Sequence, residues 1–237
     1  MTFLQLCQAI ARDSGTIPNL PAPSTTASQT GRLLRVVNWT SEAYGDIQRK
    51  RKDWLWLRNE FSGNTIAATQ RYAAAAMGIT DRFGHWVFES DTGEWGKESM
   101  SCYLTATGRS DETRLHFKPW REFRDIYLFG NNADDTGKPT YFTVDPQQKI
   151  VLWPIPDADY TVRGEYFKSP QILAVDGDIP EMPVAYHEAI KWQGLLLLGT
   201  FDEAAEQMQV WQAFLAAHYK GLIRDHTPRL EFSGPLA

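Results

Sequence analysis

Residues 140–154, TYFTVDPQQKIVLWP, hold two short runs of β-branched and aromatic residues, Tyr141 to Val144 and Ile150 to Trp153, with Asp145 and Pro146 opening the turn between them. This pattern predicts a β-hairpin in which YFTV pairs with IVLW. Segments of the same kind surround it: EFSGNTIAATQRYA from Glu60, HWVFES from His85, SCYLTATG from Ser101, a second strand pair through Ile155 to Tyr160, and ADYTVRGEYF ending at Phe167. Their turn spacing fits antiparallel strands. One helical insert interrupts them, Pro119 to Phe129, with Trp120, Phe123, Ile126 and Tyr127 on one face, Pro119 at the first position and Gly130 as the stop.

On both sides of this β region the apolar period changes to that of helices. Phe3, Leu6, Cys7 and Ile10 fall at i, i+3, i+4 and i+7. Thr30 is the expected N-cap of a second helix running to about Lys52, with Leu33, Leu34, Val37, Asn38, Ser41, Tyr44 and Ile47 as its packed face. Between these helices, residues 15–28 (GTIPNLPAPSTTAS) lack periodicity and read as an ordered loop or a strap reaching a neighbour. After Pro170 the helical period returns. Pro183 opens a helix through Tyr186, Ile190, Leu195 and Leu198 that Gly199 and Thr200 end, and Asp202 to His226 form a second helix folded back as a hairpin. The expected class is therefore α+β. Residues 1–57 and 181–226 form a helical body, 58–180 a β-rich insertion carrying one short helix, and 227–237 a C-terminal tail.

A chain of 237 residues can bury a large core without covalent staples. Cys7 and Cys102 lie far apart with no CxxC partner, which indicates neither a disulfide framework nor a zinc site, and both are expected to be reduced and buried. The opening MTFLQLCQAIARDSG lacks a basic leader and reads as an amphipathic helix rather than a signal peptide. The longest strongly apolar run, Gly194 to Gly199, is too short for a membrane span.

The net charge of −5 is unevenly distributed, +3 over residues 1–60 and −8 over the remainder. A duplex-gripping protein carries a coherent basic surface, and this distribution argues against one. The basic turn Arg49, Lys50, Arg51, Lys52 has two readings: cations complementing a helix C-terminus, or an edge facing an acidic partner or DNA phosphates.

Motifs for chemistry are missing. No GxSxG, HExxH, GxxxxGK[ST] or GxGxxG occurs. His187 reads as a helix-surface or capping residue and His218 as a packing residue. Asp134–Asp135 and Asp176-Gly-Asp178 lack the EF-hand spacing and read as solvated turn residues, and Trp54 to Leu57 as core or interface packing. No enzyme, metal or cofactor is expected. The nine tryptophans leave one rival reading, a carbohydrate-binding or hydrolytic tail component that would use exposed Trp as a sugar platform.

Taken in order, the N-terminal helix, TGRLLRVVNWTSEAYGDIQ (30–48), Asp53-Trp54 with Trp56, WREFRDIYLFG (120–130), KPTYFTVDP (138–146), LWPIPDADYTVRGEYFKSPQ (152–171) and DIPEMPVAYHEAIKW (178–192) resemble one family. The chain is similar to the head-to-tail adaptors of tailed bacteriophages, the group of the phage SU10 adaptor. That resemblance implies a virion subunit at the head-tail junction, assembled in the host cytoplasm as a ring of twelve copies beneath the portal protein. Tail tube, nozzle or fibre proteins would attach below, and double-stranded DNA would pass through without specific binding. Arg49 to Lys52 are then candidate contacts to portal, neighbouring subunit or DNA, and Pro228, Leu230 and Phe232 candidate tail contacts.

Overall fold

The computed structural model of the chain describes residues 1–16, 23–88 and 100–227. Its contacts divide into two compact units, one formed by Met1–Leu57 with Pro170–Thr227 and the other by Arg58–Ser169. The fold is mixed α+β, as the change of period implies.

The helical unit begins with α1 (Phe3–Asp13), capped by a reciprocal pair in which the Gln5 N–H donates to the Thr2 hydroxyl and the Thr2 N–H to the Gln5 side chain. α2 follows (Gly31–Arg49), and after a tight turn through Val184–Tyr186 come α4 (His187–Phe201) and α5 (Ala205–His226). α4 packs against α1 and α2 on one side and against α5 on the other. Glycine makes the first of these contacts possible. A Cβ at Gly194 would lie 2.6 Å from Ile10 Cδ1 and 3.9 Å from Ala43 Cβ, so the backbone of α4 sits directly against both earlier helices.

The segment from Pro170 to Pro180 belongs with these helices, ahead of the boundary expected at 181. Hydrogen bonds explain why. The N–H groups of Phe3 and Leu4 donate to the carbonyls of Asp178 and Asp176, filling donors that the first turn of α1 leaves open. Gln48 brackets Gln171, its amide donating to the Gln171 carbonyl and its oxygen accepting from the Gln171 N–H at 2.7 Å.

The second unit is an eight-stranded sheet. Its strands are β1 (Arg58–Asn64), β2 (Arg71–Tyr72), β3 (Phe83–Val87), β4 (Met100–Leu104), β5 (Thr113–Phe117), β7 (Tyr141–Val144), β8 (Ile150–Trp153) and β10 (Tyr160–Lys168), in the order β1-β10-β4-β5-β7-β8-β2 with β3 also beside β10. β6 (Thr136–Gly137) and β9 (Ile155–Pro156) form a separate two-stranded pair. The β7–β8 hairpin has the register that its sequence implied, Tyr141 opposite Trp153 and Val144 opposite Ile150. The side chain of Asp145 holds the turn by accepting from the N–H groups of Gln147 and Lys149.

Not every neighbour is antiparallel. β5 runs parallel to β7, because the insert helix α3 (Trp120–Tyr127) lies between them and acts as the crossover that parallel strands require. Pro119 is the N-cap of that helix and not its first residue, and of the expected face only Phe123 is fully buried while Ile126 stands exposed. β5 itself, TRLHF, has a weak signature: Leu115 is its one buried residue, between exposed Arg114 and His116.

The close approach at Gly194 is open to a direct test. Gly194→Val adds volume where Ile10 already fills the space, and it is expected to destabilise the protein by about 1–3 kcal/mol, seen as a lower urea midpoint at unchanged slope. An unaltered midpoint would mean that the helices are not held at this distance.

Candidate interaction surface

The four cations of the basic turn are not presented alike. α2 ends at Arg49, so Arg49 lies in the last helical turn, Lys50 caps it and Arg51 and Lys52 lie beyond. Arg49 bonds Asp46 one turn back at 2.7 Å, in a pair too exposed to contribute much stability. Its guanidinium also occupies the place a side chain at position 45 would take, 2.8 Å from a Cβ built on Gly45. The Lys50 ammonium lies 4.8 Å from the centre of the Tyr219 ring in α5. Arg51 grips Asp53 with two bonds, 2.9 and 2.8 Å, which hold the Asp53 carboxyl below the ordinary carboxylate range. Lys52 is exposed. Three of the four thus have partners within their own unit.

The aromatic segment after the turn closes this end of the helical unit. Trp54 is fully buried, donates to the Ile47 carbonyl, stacks on Trp56 at 4.3 Å and meets the edge of Tyr219 at 6.0 Å. Trp56 in turn meets His226. This is packing, as its sequence suggested, and it gives no platform for a sugar.

α2 buries only part of the expected face. Tyr44 and Ile47 are inside as expected, together with Val36, Thr40, Ala43, Gly45 and Gln48, while Leu34 is 43% exposed and Asn38 is also on the surface. The packed side is rotated away from the Leu34–Val37–Asn38–Ser41 line because α4 meets the helix at Ala43. Val37, Asn38, Ser41, Glu42, Gly45 and Arg49 instead line a groove of about 500 Å³, floored by Phe3 and walled on its far side by Pro170 to Ala174. Ser41 donates to the Leu173 carbonyl across its base, and Ile172 projects from the wall at 76% exposure.

α5 is the least covered helix. Of its 22 residues only Leu215 and Leu222 are buried, and Val210 and Phe214 are 55% and 48% exposed. Phe214 lies against Trp192 of α4, ring centres 4.7 Å apart. At the turn between α4 and α5, the exposed Phe201 ring meets Arg35 and Trp39 on one side, and Arg32 pairs with Asp202.

His187 corrects the expectation of a surface or capping residue. It is 1% exposed, with Nδ1 accepting from the Met1 amino group at 2.8 Å and Nε2 donating to the Met182 carbonyl at 2.9 Å. His218 is half-buried and faces Glu188 at 3.6 Å. Asp176 and Asp178 organise their loop: Asp176 accepts from the N–H and hydroxyl of Thr26, and Asp178 from the N–H groups of Ala174 and Val175. Residues 23–28 of the strap are therefore fastened to their own helical unit, also through Gln8 and Pro23. Residues 17–22 of the strap and the tail residues Pro228, Leu230 and Phe232 lie outside the described residues.

Cys7 and Cys102 are free and buried, with burial pushing their thiols up to about 11 and about 12, so neither is a nucleophile at neutral pH. Among the described residues no three His, Cys, Asp or Glu side chains converge as a metal site, and no helix is long and apolar enough to cross a membrane.

An α+β chain that leaves large apolar side chains such as Ile172, Val210 and Phe214 in water carries surface of the kind that joins proteins to one another. The chain matches the family model described as SU10 adaptor protein over residues 1–237 and belongs to that family, whose members are bacteriophage virion components. A search of curated proteins finds no match.

The buried imidazole yields a pH prediction. Burial lowers the pKa of His187, so the unfolded chain takes up this proton more readily than the folded one as pH falls through about 6.5. Stability is expected to decline from pH 7.5 to 5.5, and His187→Gln to flatten part of that decline in urea titrations across the range. An identical slope in the variant would exclude His187 as the source.

Proposed function

We propose that this adaptor is the repeating subunit of a ring, of twelve copies, that docks under the portal protein at the head-tail junction and carries tail components on its other face. Membership of the family is the observation that carries this reading. Duplex DNA passes through the opening of the ring without being gripped. Charge supports that part: the chain carries −8 over residues 61–237, and most of its basic turn is engaged by Asp46, Asp53 and Tyr219. A polyanion slides past such a wall, whereas a coherent basic lining would retard it. Arg49 and Lys52, at the exposed end of α2, are the proposed contacts to a neighbouring subunit or portal. Pro228, Leu230 and Phe232 are proposed to contact the tail.

The reading as a sugar-binding tail component needs an exposed Trp-lined cleft, and the buried Trp54 removes its leading candidate.

Two measurements test the proposal. Mixing the purified chain with its own portal protein is expected to give a ring visible by negative-stain electron microscopy, with a mass for twelve added copies. A chain that stays monomeric beside assembled portal would overturn it. Duplex DNA titrated by fluorescence anisotropy should bind weakly, and changing Arg49, Lys50, Arg51 and Lys52 together to Ala should leave that affinity unaltered. A gripping protein with 6–10 phosphate contacts would lose about 10³–10⁵ in affinity between 50 and 200 mM salt.

A further inference from the structure

α2 has apolar character on two opposite sides. At 3.6 residues per turn, Ser41 and Gly45 stand roughly 160–200° around the helix from Ala43, the residue that meets α4. The groove between α2 and Pro170–Ala174 thus faces directly away from α4. α5 has the same property on the other side of α4. Its buried pair, Leu215 and Leu222, points inward, and the opposite stripe of Glu206, Val210, Ala213, Ala217 and Lys220 is exposed throughout. Since α4 packs on α2 with one side and on α5 with the other, the groove and the stripe lie on opposite flanks of one helical unit.

We propose that the outer stripe of α5 in one copy seats in the α2 groove of the next, joining subunits head to tail. The inference rests on the ring reading above and names the surfaces that make it. Two different patches on opposite flanks form a heterologous contact, the kind that a closed ring repeats at every step and an isologous dimer does not use.

Shape and charge agree with this pairing. Ser41 is small and Gly45 is covered by the Arg49 guanidinium, which uncovers the α2 backbone when it turns to a new partner; Ala213 and Ala217 leave the backbone of α5 open, so two helices can approach closely with Val210 and Ile172 as the apolar contacts. The groove runs between Glu42 and Arg49, and the stripe between Glu206 and Lys220, all four exposed. Seated with Lys220 toward Glu42 and Glu206 toward Arg49, each end joins opposite charges. At 1.5 Å per residue the two spans are about 10 Å and about 21 Å. The excess is about 5 Å at each end, which flexible Lys and Arg side chains cover. Arg49 can exchange Asp46 for the incoming carboxylate, since its present pair is exposed and weak. The exposed Leu34 lies on the same face of α2 as the groove, so a neighbour there also explains apolar residues that the single chain leaves in water.

The experiment combines Ala213→Cys and Ile172→Cys in one chain, assembles it on portal and applies a short bismaleimide. Cys7 and Cys102 are buried, so only the introduced thiols react. A ladder of covalent multiples on a denaturing gel is expected, with neither single variant giving more than monomer. If the wild type forms its ring and the double variant runs as monomer, the interface is overturned while the ring reading stands. If no wild-type ring forms, both fall. A second arm uses Val210→Asp and Ile172→Asp, at exposed positions that leave the fold intact, as unchanged melting temperatures would verify. Each alone should lose all multimers, and their mixture should stop at one-to-one pairs, since each partner keeps one good face. Multimers from Ile172→Asp alone would point to an α5–α5 contact and defeat the proposal.

Discussion

α4 is apolar on nearly every side, and a helix of that kind must be enclosed. Its fifteen residues carry four consecutive leucines together with Ile190 and Trp192, and only Glu188 and Lys191 are charged. The helical unit is arranged to satisfy this requirement. α1 and α2 close one side, approaching through Gly194, and α5 closes the other through Leu215, Leu222 and Phe214. The segment from Pro170 to Pro180 then fills the open first turn of α1, and Asp176 draws residues 25 and 26 onto the same surface. α1, α2 and residues 25 and 26 are far from α4 in the chain, so the unit exists only because the enclosure of α4 brings the two ends of the sequence together.

Enclosure consumes only one side of each outer helix. Neither α2 nor α5 is purely polar on its far side, and this separates the protein from a self-contained bundle whose outer faces are saturated with charge. A subunit that must join copies of itself has reason to keep such surface, because burial of apolar area is what drives association. The charges beside it are few and opposite in sign, which suits a contact that has to select register as well as adhere. The basic turn has a quieter role than its composition suggests. A row of four cations in sequence becomes, in three dimensions, an ion pair with Asp46, a ring contact on Tyr219, a bidentate grip on Asp53 and one exposed lysine.

The elements with a strong local signal were legible in advance. The Tyr141–Trp153 hairpin is spelled by its alternation and by Asp145 and Pro146, α1 by its stripe, and the α4–α5 pair by the break at Gly199 to Asp202. Weakly marked elements were not. β5 offers one buried leucine among polar neighbours, and the parallel pairing of β5 with β7 depends on where α3 returns the chain, which no local pattern encodes. The buried state of His187 was equally hidden, because its partners are a backbone carbonyl and the amino group of residue 1.

The sequence by itself determined the class of the fold, the helical and β-rich regions, the packing role of Trp54, the burial of both cysteines and the family to which the chain belongs. These rest on local periodicity, on turn chemistry and on a long ordered series of soft motifs. Tertiary structure alone decided which side of α2 is buried. Both sides of that helix carry apolar residues, so periodicity permits either, and the choice falls to the single point where Gly194 lets α4 approach Ala43. That contact turns Leu34 and Asn38 outward, leaves Val37 and Ser41 half-buried and opens the groove beside Ile172, a surface that exists only once residues more than a hundred positions apart have met.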